Sequence, residues 1–124
     1  RALRHYFAQA EAAAGFPSVY GIALPAYRAV RAGGGAAAAA RVQAFFALMA
    51  EVNDTNLLHR GGPAGLAFAQ QAARRFLDGG GVLRAGWQAP AVRVHRALVE
   101  RWLSPGGSAD LLAATLFVAA LEAG

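Results

Sequence analysis

No stretch of this 124-residue chain alternates apolar and polar residues at period two for long enough to make a strand, while apolar residues recur at helical spacing along most of it. Helices are then the elements left to bury apolar surface. The expected fold is all-α, an antiparallel helical bundle with short Gly-rich connections, and 1–124 is expected to be a single helical domain. At 124 residues the chain is long enough for a core of its own.

Glycine and proline mark where the helices stop. "RALRHYFAQAEAAAG" opens as an alanine-rich helix ended by Gly15 and Pro17. "SVYGIALPAYRAVRAGGG" places Val19, Ile22, Tyr27 and Val30 near helical spacing, with Ser18 as N-cap and Pro25 kinking or splitting the helix. "AAAAARVQAFFALMAEV" carries a stripe of Val42, Phe45, Phe46 and Met49. A further helix runs from Pro63 to the glycines at 79–81, and "VLRAGWQ" reads as a loop with Trp87 packing inward. "APAVRVHRALVERWL" gathers Val92, His95, Leu98, Val99 and Trp102 on one side. The last helix, Leu111 to Glu122, is preceded by Ser108 as N-cap.

Composition removes several functions. The chain has no cysteine, so disulfides and thiolate metal sites are excluded. The longest apolar run, "LLAATLFVAALEA", falls short of the ~20 residues of a membrane span, and no signal peptide is visible. A cytoplasmic domain with no membrane partner is the expectation. The first residue is Arg1, which suggests a fragment or a processed chain. Net charge is +5 and every basic residue is arginine, but the arginines are scattered, which argues against nucleic acid. Arginine suits a multiply phosphorylated small ligand at least as well, because its planar fork pairs with phosphate through two hydrogen bonds.

Two polar islands break the apolar pattern, "EVNDTNLLHRGG" and "SPGGSAD". Glu51 and Asp54 share a face if the helix runs on through Asn53; together they suit magnesium binding or general-base work. His59 and Arg60 supply donors for anionic oxygens, and Gly61 and Gly62 let the backbone turn tightly. The second island is a glycine-rich turn before a helix, where free amides and the helix dipole favour an anion; Asp110 is expected in that helix's first turn. Plain structural readings stand beside these: a capped turn at "SPGGSAD", a helix end with an Asx-turn at "VNDTN", a core or boundary role for His95, and a solvated face for Arg74 and Arg75. His5 has no evident role.

The islands also carry a resemblance. "NDTNLLHRGGPAGLAFAQ" followed by "LSPGGSADLLAATLF", with "GFPSV" and "ALPAYRA" earlier, is similar to the C-terminal part of the triphosphoribosyl-dephospho-CoA synthases of citrate lyase and malonate decarboxylase systems. The resemblance implies an all-helical enzyme that transfers the triphosphoribosyl group of ATP to the ribose 2′-hydroxyl of dephospho-CoA and releases adenine. The product is the precursor of a prosthetic group, so acyl-carrier or holo-transfer machinery lies downstream. An oxocarbenium-like transition state needs a carboxylate, for which Asp54 is the first candidate and Glu51 the second. Phosphate contacts are expected from His59, Arg60, Gly61, Gly62, Asn56, Ser104, Gly106, Gly107 and Ser108, and magnesium is expected with ATP, on Asp54 or Asp110.

This chain departs from that pattern in two ways. Family members are longer at their N-terminal side, and the Gly and Arg of a Gly-Ala-Arg-x-Glu motif are replaced within Phe7–Glu11. The chain alone is therefore expected to hold part of a site and to expose apolar surface that favours homo-oligomers. The competing reading is a non-catalytic helical module that binds phosphate or another subunit.

Overall fold

The computed structural model describes residues 11–12 and 14–123, so most of the first expected helix, His5 and the departures at Phe7–Ala10 lie outside the described residues. The remainder is helical, with no strand among the described residues, as the periodicity requires. Five α-helices follow in order: α1 Leu24–Ala32, α2 Ala37–Glu51, α3 Thr55–Asp78, α4 Gln88–Glu100 and α5 Gly106–Ala123. A π-helical turn, Val19–Ala23, leads into α1, and a 3₁₀ turn, Gly81–Leu83, separates α3 from α4. No helix among the described residues is long and apolar enough to cross a membrane.

Pro25 does not split the second expected helix into two separate ones: the backbone stays helical through Ala23 and Leu24, and the change at the proline is from a π-turn to α1. Lacking an N–H, it cannot continue the ladder from the preceding turn, and the backbone before it widens to a π-turn. Ser18 does not act as the N-cap. Its backbone is already helical and its side chain makes no capping bond, while its N–H donates to Glu11 Oε1 at 2.7 Å.

Helix α2 is the hub and packs against α1, α3 and α5. Its two faces serve two apolar cores. Ala40, Phe46, Met49 and Ala50 join Leu57, Ala73, Phe76, Leu98 and Leu103 on one side. Ala44 and Leu48 join Val19, Ala23, Val52 and Leu111 on the other. Alanines at the contact points let neighbouring helices come close, and the larger rings fill the remaining space: Phe46 stacks on Phe76 with centroids 4.1 Å apart.

Two helices differ from expectation. Helix α3 begins at Thr55 rather than at Pro63, because Asp54 caps it; it then breaks at Gly62, where φ is 66° and ψ −169°. That conformation is essentially confined to glycine. Pro63 follows as the first residue of a second segment, where its missing N–H costs nothing. In α4 the grouping of Val92, His95, Leu98 and Val99 is real, since all four line one groove, but Leu98 alone of them is buried; Trp102 falls outside the helix, which ends at Glu100. Trp102 is 80% exposed and takes a left-handed φ of 56°. Trp87 is half-buried against the first core, as expected.

Substituting Gly62→Ala should destabilise the protein by about 1–3 kcal/mol, since alanine pays the full strain of that backbone. Gly21→Ala, at an exposed helical position with no positive φ and no atom within 4 Å of the added methyl, should instead be neutral or stabilise by up to about 1 kcal/mol. Urea denaturation of both variants checks this.

Candidate functional site

The two polar islands meet in space, and what joins them is one carboxylate. Helix α2 ends at Glu51, Val52 turns extended, and Asp54 becomes the N-cap of α3. Asp54 Oδ1 accepts from the N–H of Asn56 at 2.9 Å and of Leu57 at 3.2 Å, the second and third amides of that helix. Oδ1 also accepts from Gly107 N–H at 3.2 Å, and Oδ2 from Ser108 N–H at 2.8 Å. These are the second and third amides of α5. Pro105, just before α5, has no side-chain acceptor, so Asp54 supplies the cap from 54 residues away. The Ser108 hydroxyl adds a fifth hydrogen bond to Oδ2 at 2.9 Å.

The electrostatics follow from this arrangement. Two helix N-termini, each carrying about half a positive charge, converge on one anion, and Asp54 is 0% exposed. An isolated carboxylate could not be buried so completely; five donors make it tolerable. A second link runs beside it, from Asn56 Nδ2 to the Ser104 carbonyl at 2.6 Å. Gln70 Nε2 donates to the Val52 carbonyl at 3.0 Å and holds the far part of α3 against the same junction.

The sequence candidates therefore separate into two groups. Asp54, Asn56, Ser104, Gly107 and Ser108 are brought together, and they satisfy one another. Glu51, His59 and Arg60 are exposed. Glu51 and Asp54 do not share a helical face, because the helix stops between them and leaves one exposed and the other buried. Ser108 is not an N-cap but the third residue of α5, with its hydroxyl turned to Asp54. Asp110 is half-buried and lies beyond the first turn of α5, since the helix starts at Gly106. Gly61 and Gly65 form a notch on α3 into which Leu103 packs; a methyl on Gly61 would come within 2.5 Å of Leu103 Cδ2.

A groove of about 700 Å³ lies between α2 and α4 and reaches the junction at Ser104, Pro105 and Gly106. Its walls are apolar, chiefly Phe45, Met49, Trp87, Val99 and Leu103, with Gln88 and His95 as polar groups. Periodicity had marked His95 as part of a packed face, and its place on the groove was visible only once that face was found to point outward. For magnesium, the donor set is thin. Both oxygens of Asp54 are already engaged, and no cluster of three His, Cys, Asp or Glu side chains occurs among the described residues. A protein-held cage does not fit here.

The two glycine-containing polar motifs are thus locked together beside an apolar groove. The chain belongs to the ATP:dephospho-CoA triphosphoribosyl transferase family, whose model matches residues 2–124. It is 44% identical over 112 residues to a probable 2-(5″-triphosphoribosyl)-3′-dephosphocoenzyme-A synthase of Acinetobacter calcoaceticus, covering 90% of this chain and 38% of that one. The synthase of Klebsiella pneumoniae is 45% identical over 117 residues, covering 94% and 39%. A probable synthase of Pseudomonas syringae pv. tomato is 41% identical over 115 residues, covering 93% and 40%. The chain thus spans about two fifths of the length of the curated relatives it matches. No solved structure matches it.

Asp54→Ala should destabilise the protein by on the order of 3 kcal/mol or more, because two helix caps are lost and buried amides are left unpaired. Glu51→Gln, at an exposed position, should change stability by less than about 0.5 kcal/mol. Guanidinium denaturation of the two variants measures the difference.

Proposed function

We propose that this chain forms part of an enzyme that transfers the triphosphoribosyl group of ATP to the ribose 2′-hydroxyl of dephospho-CoA, releasing adenine. The observation that carries this reading is the buried junction: the two motifs most similar to the family are far apart in sequence and are tied together by Asp54. A junction built this firmly suits a site whose catalytic groups must be held to within a fraction of an ångström.

In this reading Asp54 is a positioning residue. Both its oxygens are already occupied by five donors, so the carboxylate that stabilises the oxocarbenium-like ribose or takes the 2′-hydroxyl proton is Glu51, exposed at the end of α2. In the step itself, the acceptor oxygen forms a bond to the anomeric carbon, the bond to adenine breaks, and the hydroxyl proton leaves to a base. His59 and Arg60 contact anionic oxygens of a substrate in this reading, which their exposure on the first segment of α3 supports. Magnesium enters as part of the Mg–ATP substrate. The apolar groove beside Ser104–Gly106 takes an uncharged part of a substrate, with Gln88 and His95 as polar contacts. The remaining length of the relatives is expected to complete the site.

The test is adenine release by the protein that contains this chain, given Mg–ATP with and without dephospho-CoA. Release that depends on dephospho-CoA is the expected result, and no release under any condition would remove the enzyme reading. Glu51→Gln should lower kcat by about 10²–10⁴-fold with folding unchanged. Turnover close to the parent value would place the base elsewhere.

A further inference from the structure

The triple glycine at 79–81 ends α3, yet it does more than stop a helix. Gly79 closes α3, Gly80 and Gly81 take left-handed φ values of 114° and 55°, and the chain turns sharply towards α4. Gln43 of α2 fixes this turn: its Oε1 accepts from Val82 N–H at 3.0 Å, and its side chain occupies the space that any β-carbon on Gly81 would need. The turn delivers Arg84 to the mouth of a cleft of about 360 Å³ between α3 and α4.

Three arginines line that cleft, each from a different element: Arg75 from α3, Arg84 from the turn and Arg93 from α4. No acidic residue among the described residues lines it. None of the three makes an ion pair or a side-chain hydrogen bond within the described residues. The floor and walls are Phe68, Phe76, Pro90 and Ala97, which offer these guanidinium groups no acceptors. A fourth guanidinium, Arg101, stacks on Phe68 with its carbon 3.9 Å from the ring centroid.

A second arginine-lined cleft differs in that an acid partly offsets its charge. Arg28, Arg31 and Arg41 line it together with Glu122. There Arg28 pairs with Glu122, and Arg31 donates to the Gly35 carbonyl. The cleft at Arg75, Arg84 and Arg93 has no such counter-charge among the described residues. Like charges held together by a fixed turn, without an internal partner, raise the local potential for anions. The planar fork of arginine further favours phosphate oxygens over a simple halide.

We propose that the cleft between α3 and α4 binds a chain of two or more phosphates through Arg75, Arg84 and Arg93. A triphosphate, as in ATP, and a pyrophosphate, as in dephospho-CoA, share this chemistry; naming those two sources rests on the function proposed above, whereas the polyphosphate site itself does not.

The test is calorimetric titration of the protein with inorganic tripolyphosphate at low ionic strength. Binding is expected, and Arg84→Ala combined with Arg93→Ala should weaken it at least tenfold. Arg74→Ala combined with Arg96→Ala removes the same charge from exposed positions outside the cleft and should leave the affinity within about twofold. No binding by the parent, or equal loss in both double variants, would overturn the proposal. Circular dichroism checks that all variants keep their helical content. Competition then assigns the source: displacement of tripolyphosphate by ATP alone points to the donor's triphosphate, and displacement by dephospho-CoA alone to the acceptor's pyrophosphate. Tripolyphosphate binding that neither displaces would uphold the cleft and remove the two substrates as its occupants. An absence of adenine release would count against the enzyme reading and leave the binding result untouched.

Discussion

Everything near the candidate site depends on one carboxylate that closes two helices. Ordinarily an N-cap belongs to its own helix and is a local affair of three residues. Asp54 caps α3 in that local way and also caps α5, which has only a proline where its own cap would stand. The interaction is therefore both secondary and tertiary structure. Neither helix start can fray without unpairing the other, so the two form one cooperative unit. The adjoining contacts, Asn56 to Ser104 and Leu103 into the Gly61–Gly65 notch, add to the same joint.

This arrangement also bears on how anions are handled. A glycine-rich turn leading into a helix looks like a phosphate cradle, because its amides are unsatisfied in isolation. In this protein the Gly107 and Ser108 amides already hold an anion, and that anion is a side chain.

The all-α class, most helix ends and the half-buried Trp87 were legible in the sequence, because helical spacing and the glycine and proline stops are local signals. What was illegible is physically distinct. In "NDTN" the Asp could be recognised as a capping or turn residue, but nothing local states that its remaining acceptor capacity goes to Gly107 and Ser108. The polar run 55–61 looked like an interruption because a short helical segment between the Asp54 cap and the break at Gly62 carries too few apolar residues to show helical spacing. In α4, periodicity established that Val92, His95 and Val99 share a side; it could not say whether that side points in or out, since such a choice depends on what α2 and α3 already cover. The arginine cleft escaped for a similar reason. Arg75, Arg84 and Arg93 are unremarkable singly and become a cluster only through the turn at 79–81.

The break at Gly62 gives α3 two axes instead of one. Its first segment, 55–61, is about two turns long and has Asp54 at one end and the glycine hinge at the other. Each residue of a helix advances the facing direction by about 100°, so the length of this segment sets where Asp54 points. A lost or added residue would swing the carboxylate away from Gly107 and Ser108 while leaving every side chain chemically intact. The count of residues between the cap and the hinge is thus as much a part of the site as their identities, and an exposed position such as Leu58 has more freedom in kind than in number.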